Sequence, residues 1–146
     1  KEDWMAQAKD KIIRINPSAP FYFERAFDAY HQSDLDKGIK YFKRGISLAD
    51  NPYEEHYGAI QLALIYQHQG EFQKSYDLVQ DLLDKSGKLQ ADLYYYQAVN
   101  CSYLKDYREA KQHLETFINL LDQRPGQDSP YRSEAEDMLV YLANLD

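Results

Sequence analysis

Apolar residues recur three and four positions apart along nearly the whole chain, and segments in which apolar and polar residues strictly alternate are absent. This spacing places the apolar side chains on one side of a helix, so the sequence predicts an all-α protein. Short segments that contain Gly, Pro, Asn or Asp interrupt the pattern and mark turns. We predict eight helices, over residues 2–15, 20–32, 35–49, 53–69, 72–86, 89–104, 107–122 and 130–144.

One arrangement of residues occurs three times, beginning at Ser33, Gly70 and Lys105, with spacings of 37 and 35 residues. Each copy begins at a predicted turn, continues with an acidic residue and has a small residue at its sixth position, and an alanine lies seven residues before it. The small residues are Gly38, Ser75 and Ala110, and the alanines are Ala26, Ala63 and Ala98. Two helices approach closely only where side chains are small, so each copy predicts a helical hairpin.

A helix, a turn and a second helix in about 35 residues resemble the tetratricopeptide repeat (TPR). The matching residues are Tyr22, Ala26, Leu35, Gly38 and Ile39 in the first copy, Leu62, Ala63, Tyr66, Gly70, Phe72, Ser75 and Leu82 in the second, and Tyr94, Ala98, Tyr107, Ala110 and Phe117 in the third. One departure is Gly45, which stands where the family usually has alanine. The resemblance implies a right-handed superhelical solenoid of antiparallel helix hairpins, with about three repeats plus flanking helices, whose first helices line a concave groove.

We interpret residues 1–146 as a single TPR-like domain. Its parts are a helix of a truncated upstream repeat at 1–17, repeats at 19–52, 53–88 and 89–125, and a capping helix at 130–146. The chain begins at Lys1 and not at Met, so we expect it to be part of a longer or processed protein. A membrane anchor or a second domain upstream of Lys1 stays open.

The resemblance also implies which residues of the first helices face the groove, and most of them are apolar or aromatic. We expect a tyrosine-rich groove that binds a protein or peptide through Phe23, Phe27, Tyr30, Tyr57, Ile60, Leu64, Gln67, Tyr95, Tyr96, Val99 and Tyr103. Family members that hold a peptide's terminal carboxylate use Lys, Arg and Asn at five groove positions. Those positions carry Phe23, Phe27, Gln61, Asp92 and Tyr96 here, so we expect that this carboxylate chemistry is absent.

Composition narrows the possible partners and activities. The net charge of −7 opposes nucleic-acid binding, which depends on Lys and Arg at the phosphates. Neither a Gly-rich phosphate loop nor a nucleophile with a base in motif spacing is present, so we expect no enzyme activity, no cofactor and no metal site. We interpret Glu109 and the nearby His113 as part of a solvated helix face. The single cysteine, Cys101, favours a reducing, cytoplasmic compartment, and no apolar run approaches the ~20 residues of a membrane span.

The function that this pattern favours is a non-enzymatic adaptor that binds a protein or peptide with apolar or aromatic anchors. Because the chain is acidic, such a partner can also be basic. Nucleic acid and direct membrane insertion are not expected. Two alternatives stay open: a self-association module that forms homo-oligomers through the same surface, and the peptide-sensing part of a bacterial regulator whose effector domain lies upstream.

Overall fold

The structure is a computed structural model that describes residues 18–86 and 90–145. These residues form seven α-helices and no strand: α1 Ala19–His31, α2 Leu35–Ser47, α3 Pro52–His68, α4 Phe72–Ser86, α5 Asp92–Tyr103, α6 Tyr107–Asp122 and α7 Arg132–Ala143. The predicted all-α fold is confirmed, and the predicted bounds agree closely with the observed helices. The helix predicted at 2–15 lies outside the described residues. None of the helices in the described part of the chain is long and apolar enough to cross a lipid bilayer.

The chain divides into two compact units, residues 1–59 and 60–146, and the division falls inside α3. In the first unit α1 packs against α2 around the fully buried ring of Phe42. In the second unit α5 packs against both α4 and α6, and α7 packs against α6. Its core contains Val79, Leu82, Leu93 and Leu114, which are all almost completely buried.

The turns inside the three hairpins have the same backbone geometry. Ser33, Gly70 and Lys105, which begin the three sequence copies, have φ angles of 64°, 79° and 66°. In each turn the N–H of the next residue donates to the carbonyl five positions earlier: Asp34 to Ala29 at 2.9 Å, Glu71 to Tyr66 at 2.8 Å and Asp106 to Cys101 at 2.8 Å. This bond closes a left-handed C-terminal cap, which satisfies a carbonyl that the helix leaves unpaired.

The acidic residue after each turn starts the second helix. The side chain of Asp34 accepts a hydrogen bond from the N–H of Lys37, and that of Asp106 accepts one from Glu109. A carboxylate at this position satisfies a free N–H of the first helical turn and favours the positive end of the helix dipole. The repeated turn and acid therefore both stop one helix and begin the next.

The predicted small residues lie where the helices of each hairpin approach. Ala26, Ala63, Ala98, Ser75 and Ala110 are all at most 1% exposed. A β-carbon added at Gly38 would lie 3.3 Å from the carbonyl oxygen of Ala26, so α1 and α2 are close enough there to crowd a methyl group. The pairing of alanine with a second small residue is therefore a feature of close helix packing, as the sequence predicts.

Candidate functional site

Candidate contact residues in the first unit differ in how far they are open to solvent. Phe23 is only 5% exposed, because its ring fills the space beside Gly45 of α2 and Gly58 of α3. Phe27 is half-buried and packs edge-on against Phe42, with ring centroids 5.0 Å apart. Tyr30 is half-buried as well. Tyr57 is 41% exposed, so it is the most accessible of these four side chains.

The tight fit around Phe23 explains the departure at Gly45. A β-carbon at Gly45 or at Gly58 would lie less than 3.0 Å from the Phe23 ring. The large ring therefore requires glycine on both neighbouring helices, and a small residue at 45 is a consequence of a large one at 23.

In the second unit, Ile60 and Leu64 of α3 and Val99 of α5 are half-buried. Tyr103 at the end of α5 is 65% exposed, and its ring stacks on Phe72 with centroids 4.1 Å apart and planes 2° apart. These four side chains are thus partly open to solvent, and Tyr103 already has one aromatic face covered by the chain itself.

Tyr95 and Tyr96 are buried by the segment at the start of α7. Tyr95 stacks on Tyr131 with centroids 4.5 Å apart, and its hydroxyl donates to the Glu134 carboxylate at 2.8 Å. The hydroxyl of Tyr96 lies 3.3 Å from that of Tyr131. Burial is the main cause that raises the pKa of both phenols, and the hydrogen bonds add to it. The main contacts of these two rings are intramolecular, and they join α5 to the C-terminal segment.

Gln67 takes part in a network of buried amides. Its side-chain nitrogen donates to the carbonyl oxygen of Tyr96 at 2.9 Å and to Asn100 Oδ1 at 3.0 Å. Asn100 Nδ2 in turn donates to Ser75 Oγ and to Gln97 Oε1. Asn100, Gln97 and Ser75 are fully buried, and the network satisfies their polar groups while it links α3, α4 and α5.

A second polar cluster links α4, α5 and α6. The Tyr76 hydroxyl donates to Glu109 Oε1 at 2.7 Å, and His113 Nε2 lies 3.3 Å from the same oxygen. The prediction that Glu109 and His113 lie on a solvated face is wrong, since their side chains are only 29% and 17% exposed. Packing of α6 against α5 encloses them, and one ligand atom each from Cys101, Glu109 and His113 lies within 4.8 Å of the others.

The pKa values in this cluster follow from burial and from the shared carboxylate. The hydrogen bond to Glu109, together with burial, raises the pKa of Tyr76 to about 12. Burial raises the pKa of the Cys101 thiol to about 12, and the nearby Glu109 charge acts in the same direction. Burial alone would raise the pKa of Glu109, but the hydrogen bonds from Tyr76 and His113 outweigh it and lower the pKa. The cluster is therefore a carboxylate held between two donors beside an unreactive thiol.

Sequence reasoning did not identify these two polar networks. The sequence does carry one signal of them, because Gln97 and Asn100 are the two amides in the otherwise apolar or aromatic stretch 93–101. Their partners on α3 and α4 lie 17 to 33 positions away in the sequence. Because spacing along one helix does not specify what packs against it, the partners could not be named from the sequence.

Of the five positions linked to carboxylate binding, three have defined contacts within the chain. Asp92 accepts a hydrogen bond from Ser129 Oγ at 2.7 Å, and Tyr96 is buried against Tyr131. Phe23 is buried between glycines. None of these side chains supplies a cation.

The chain is similar to a protein that is named for the repeat predicted from the sequence. The chain is 25% identical over 132 residues to the TPR repeat-containing protein YvcD of Bacillus subtilis (strain 168), and the match covers 90% of this chain. The chain spans 26% of that relative's length. No protein-family model matches the chain.

Three solved structures have a fold similar to that of this chain. PcrH from Pseudomonas aeruginosa has a TM-score of 0.72 at 14% identity, with 86% of this chain and 91% of PcrH covered. The first TPR of Spaghetti (RPAP3), bound to the HSP90 peptide SRMEEVD, has a TM-score of 0.67 at 18% identity over 87% of this chain and 91% of that one. A chain of the Sec complex from S. cerevisiae has a TM-score of 0.66 at 16% identity, over 87% of this chain and 68% of that one. The predicted resemblance to the tetratricopeptide repeat is confirmed.

Proposed function

Because the chain has the tetratricopeptide-repeat fold, we propose that it is a non-enzymatic adaptor that binds a protein or peptide partner through the first helices of its hairpins. A repeat of this fold in RPAP3 is bound to a peptide, which supports a binding role. The residues proposed to form the binding surface in the second unit, as contacts or as the layer beneath them, are Ile60, Leu64, Gln67, Tyr95, Tyr96, Val99 and Tyr103. In the first unit they are Phe23, Phe27, Tyr30 and Tyr57.

The observation that carries this proposal is a difference in surface chemistry between the two kinds of helix in the second unit. Every exposed position of α4 is polar: Gln73, Lys74, Asp77, Asp81, Asp84 and Lys85. By contrast, the exposed positions of α3 within this unit and of α5 are His68 and Tyr103, which are both aromatic. Half-buried apolar residues occur on both sides: Ile60, Leu64 and Val99 on α3 and α5, and Phe72 and Leu78 on α4. Aromatic side chains exposed on one side of a hairpin, with a charged surface on the other, favour a contact on the aromatic side.

The arrangement of α3 and α5 makes these side chains neighbours of a rigid network. Gln67 holds the two helices together through its bond to the Tyr96 carbonyl oxygen. Leu64 lies three residues before Gln67, and Val99 lies three residues after Tyr96, so each is within one helical turn of that bond. The buried candidates Tyr95 and Tyr96 would then support the surface from behind, while Leu64 and Val99 would contact the partner.

Matched arginine variants test which side of the hairpin binds. Peptides selected from a random phage-displayed library on the intact protein provide the ligand, and Leu64→Arg is compared with Leu78→Arg on α4, which is also half-buried. We expect Leu64→Arg to weaken binding by about tenfold or more, because an unpaired charge in a contact costs several kcal/mol. Leu78→Arg should retain the affinity. Thermal melting of both variants checks that the fold is intact.

Two outcomes would contradict the proposal. Equal binding by Leu64→Arg and the parent would remove the first helices from the contact. If instead no peptide is selected, and sedimentation shows self-association that Leu64→Arg abolishes, the surface is an assembly interface between copies of the chain.

A further inference from the structure

A group of cations lies on the first hairpin, in a chain whose net charge is −7. Lys37, Lys40, Lys43 and Arg44 lie on α2 and Arg25 lies on α1, and all five are exposed. Across residues 18–86 and 90–145, none of the five forms an ion pair. Since they do not pair with acidic groups of the hairpin, their charge is available to a ligand.

Two tyrosines and several of the α2 cations lie together around a cleft. The rings of Tyr22 and Tyr41 lie 5.9 Å apart, one on each helix. The guanidinium of Arg44 lies 6.0 Å from the Tyr22 ring, and Lys37 Nζ lies 5.8 Å from the Tyr41 ring. The cleft has a volume of about 430 Å³ and is lined by Tyr22, Lys40, Tyr41, Lys43 and Arg44; we call it the basic cleft.

The cations form a stripe along α2, at positions 37, 40, 43 and 44. With a rise of about 1.5 Å per residue, the stripe is roughly 10 Å long. An extended peptide advances about 3.3 Å per residue, so roughly three of its residues match this length. Cations at this spacing can pair with carboxylates on a short extended segment, while the tyrosine rings contact its apolar atoms.

We propose that the basic cleft binds an acidic segment of a partner protein in an extended conformation. This site is separate from the one in the proposed function, because none of the residues that line the basic cleft is among the contacts proposed there and because its recognition is by charge. A peptide fits better than a nucleic acid, because four cations over about 10 Å suit a few carboxylates, whereas the overall charge of −7 repels a long polyanion.

Binding of a fluorescein-labelled, amidated hexapeptide of alternating Asp and Glu to the full chain tests the proposal. We expect saturable binding at low salt that weakens steadily as NaCl is added. The double variant Lys40→Glu/Lys43→Glu should weaken it about tenfold or more. The matched control is Lys74→Glu/Arg108→Glu, which changes the net charge equally at exposed sites in the second unit and should change the affinity less than about threefold. A peptide of alternating Asn and Gln should not bind.

Several results would overturn the proposal. Equal losses in the two double variants would mean that only net charge matters, and equal binding of the Asn and Gln peptide would mean that carboxylates are not recognised. A single-stranded oligonucleotide that binds more tightly than the peptide would identify a nucleic-acid site instead. If sedimentation shows self-association that Lys40→Glu/Lys43→Glu abolishes while the peptide fails to bind, the occupant is a second copy of this acidic chain.

Discussion

At the scale of single residues, the three hairpin turns impose one backbone conformation on three chemically different side chains. Ser33, Gly70 and Lys105 all have φ between 64° and 79°. Glycine adopts this left-handed conformation without steric cost, whereas in other residues the β-carbon crowds the following carbonyl oxygen. The first and third turns therefore store strain that the second does not.

We expect Lys105→Gly to stabilise the protein by about 1 kcal/mol, because it removes the left-handed strain. Gly70→Ala should destabilise it by about 1 kcal/mol for the same reason, since a β-carbon at 70 has no neighbour within 4 Å and meets only the backbone penalty. Urea unfolding at neutral pH measures both changes.

The control is Lys111→Gly in the interior of α6, where glycine should cost roughly 1 kcal/mol through its poor helix propensity. The same change from Lys to Gly thus has opposite signs at 105 and 111. A loss of stability at both sites would show that the turn at Lys105 is not strained.

At the scale of helices, α4 and α6 are joined by the hydrogen bond from Tyr76 to Glu109. The folded protein lowers the pKa of Glu109, so this carboxylate stabilises the fold above the ordinary glutamate pKa of about 4.3. That contribution is lost as the pH falls through the lowered pKa. The raised pKa of Tyr76, about 12, means that the phenol's contribution is present below pH ~10 and is lost as the pH rises from there toward 12.

Tyr76→Phe should therefore destabilise the protein by about 1–3 kcal/mol at pH 7, since it removes the donor to a partly buried carboxylate. The difference between variant and parent should shrink as the pH falls through the lowered pKa of Glu109, because the carboxylate becomes protonated in both proteins. Urea unfolding from pH 3 to pH 8 measures this dependence. Tyr22→Phe serves as the control and should show little change at any pH; a pH-independent effect at Tyr76 would indicate lost packing instead of a lost hydrogen bond.

The sequence predicted the helices and hairpins well because local chemistry determines them. Turn residues such as Gly70 and acids such as Asp34 and Asp106 mark where helices end and begin, and Ala26, Ala63 and Ala98 mark their close approach. The environment of the candidate contacts was less predictable, because it depends on residues far along the chain. Tyr95 is covered by Tyr131, 36 positions later, and helical spacing alone does not distinguish a ring that another helix covers from one that solvent reaches.

At the scale of the whole molecule, charge is unevenly distributed along the sequence. Residues 60–146 contain 14 acidic and 8 basic residues, whereas residues 1–59 contain 10 and 9. Most of the acidic excess thus lies in the second unit, and the exposed cations of α2 lie in the nearly neutral first unit. The two proposed sites would therefore select a peptide by different chemistry, one by apolar contact and the other by charge.

The peptide SRMEEVD, which is bound by the TPR of RPAP3, can be used to test whether this chain recognises a terminal carboxylate. We predict that amidation of its terminal carboxylate changes its affinity for this chain less than about twofold, because the five clamp positions supply no cation for the terminal group. Fluorescence anisotropy with the free-acid and amidated peptides, each at several salt concentrations, measures the ratio. A loss of about tenfold or more on amidation would show a carboxylate clamp that the sequence does not reveal.

The ring of Phe23, seated against Gly45 and Gly58, also constrains how this sequence can change during evolution. Alanine at either glycine is compatible with the fold only after residue 23 has become smaller, and a smaller residue at 23 leaves a cavity until a glycine is replaced. A larger residue at 45 or 58 destabilises the protein by itself, and so does a smaller residue at 23. Each substitution becomes tolerable once the other has occurred. The three positions should therefore drift together among descendants of this chain, as a linked set whose members lie on three different helices.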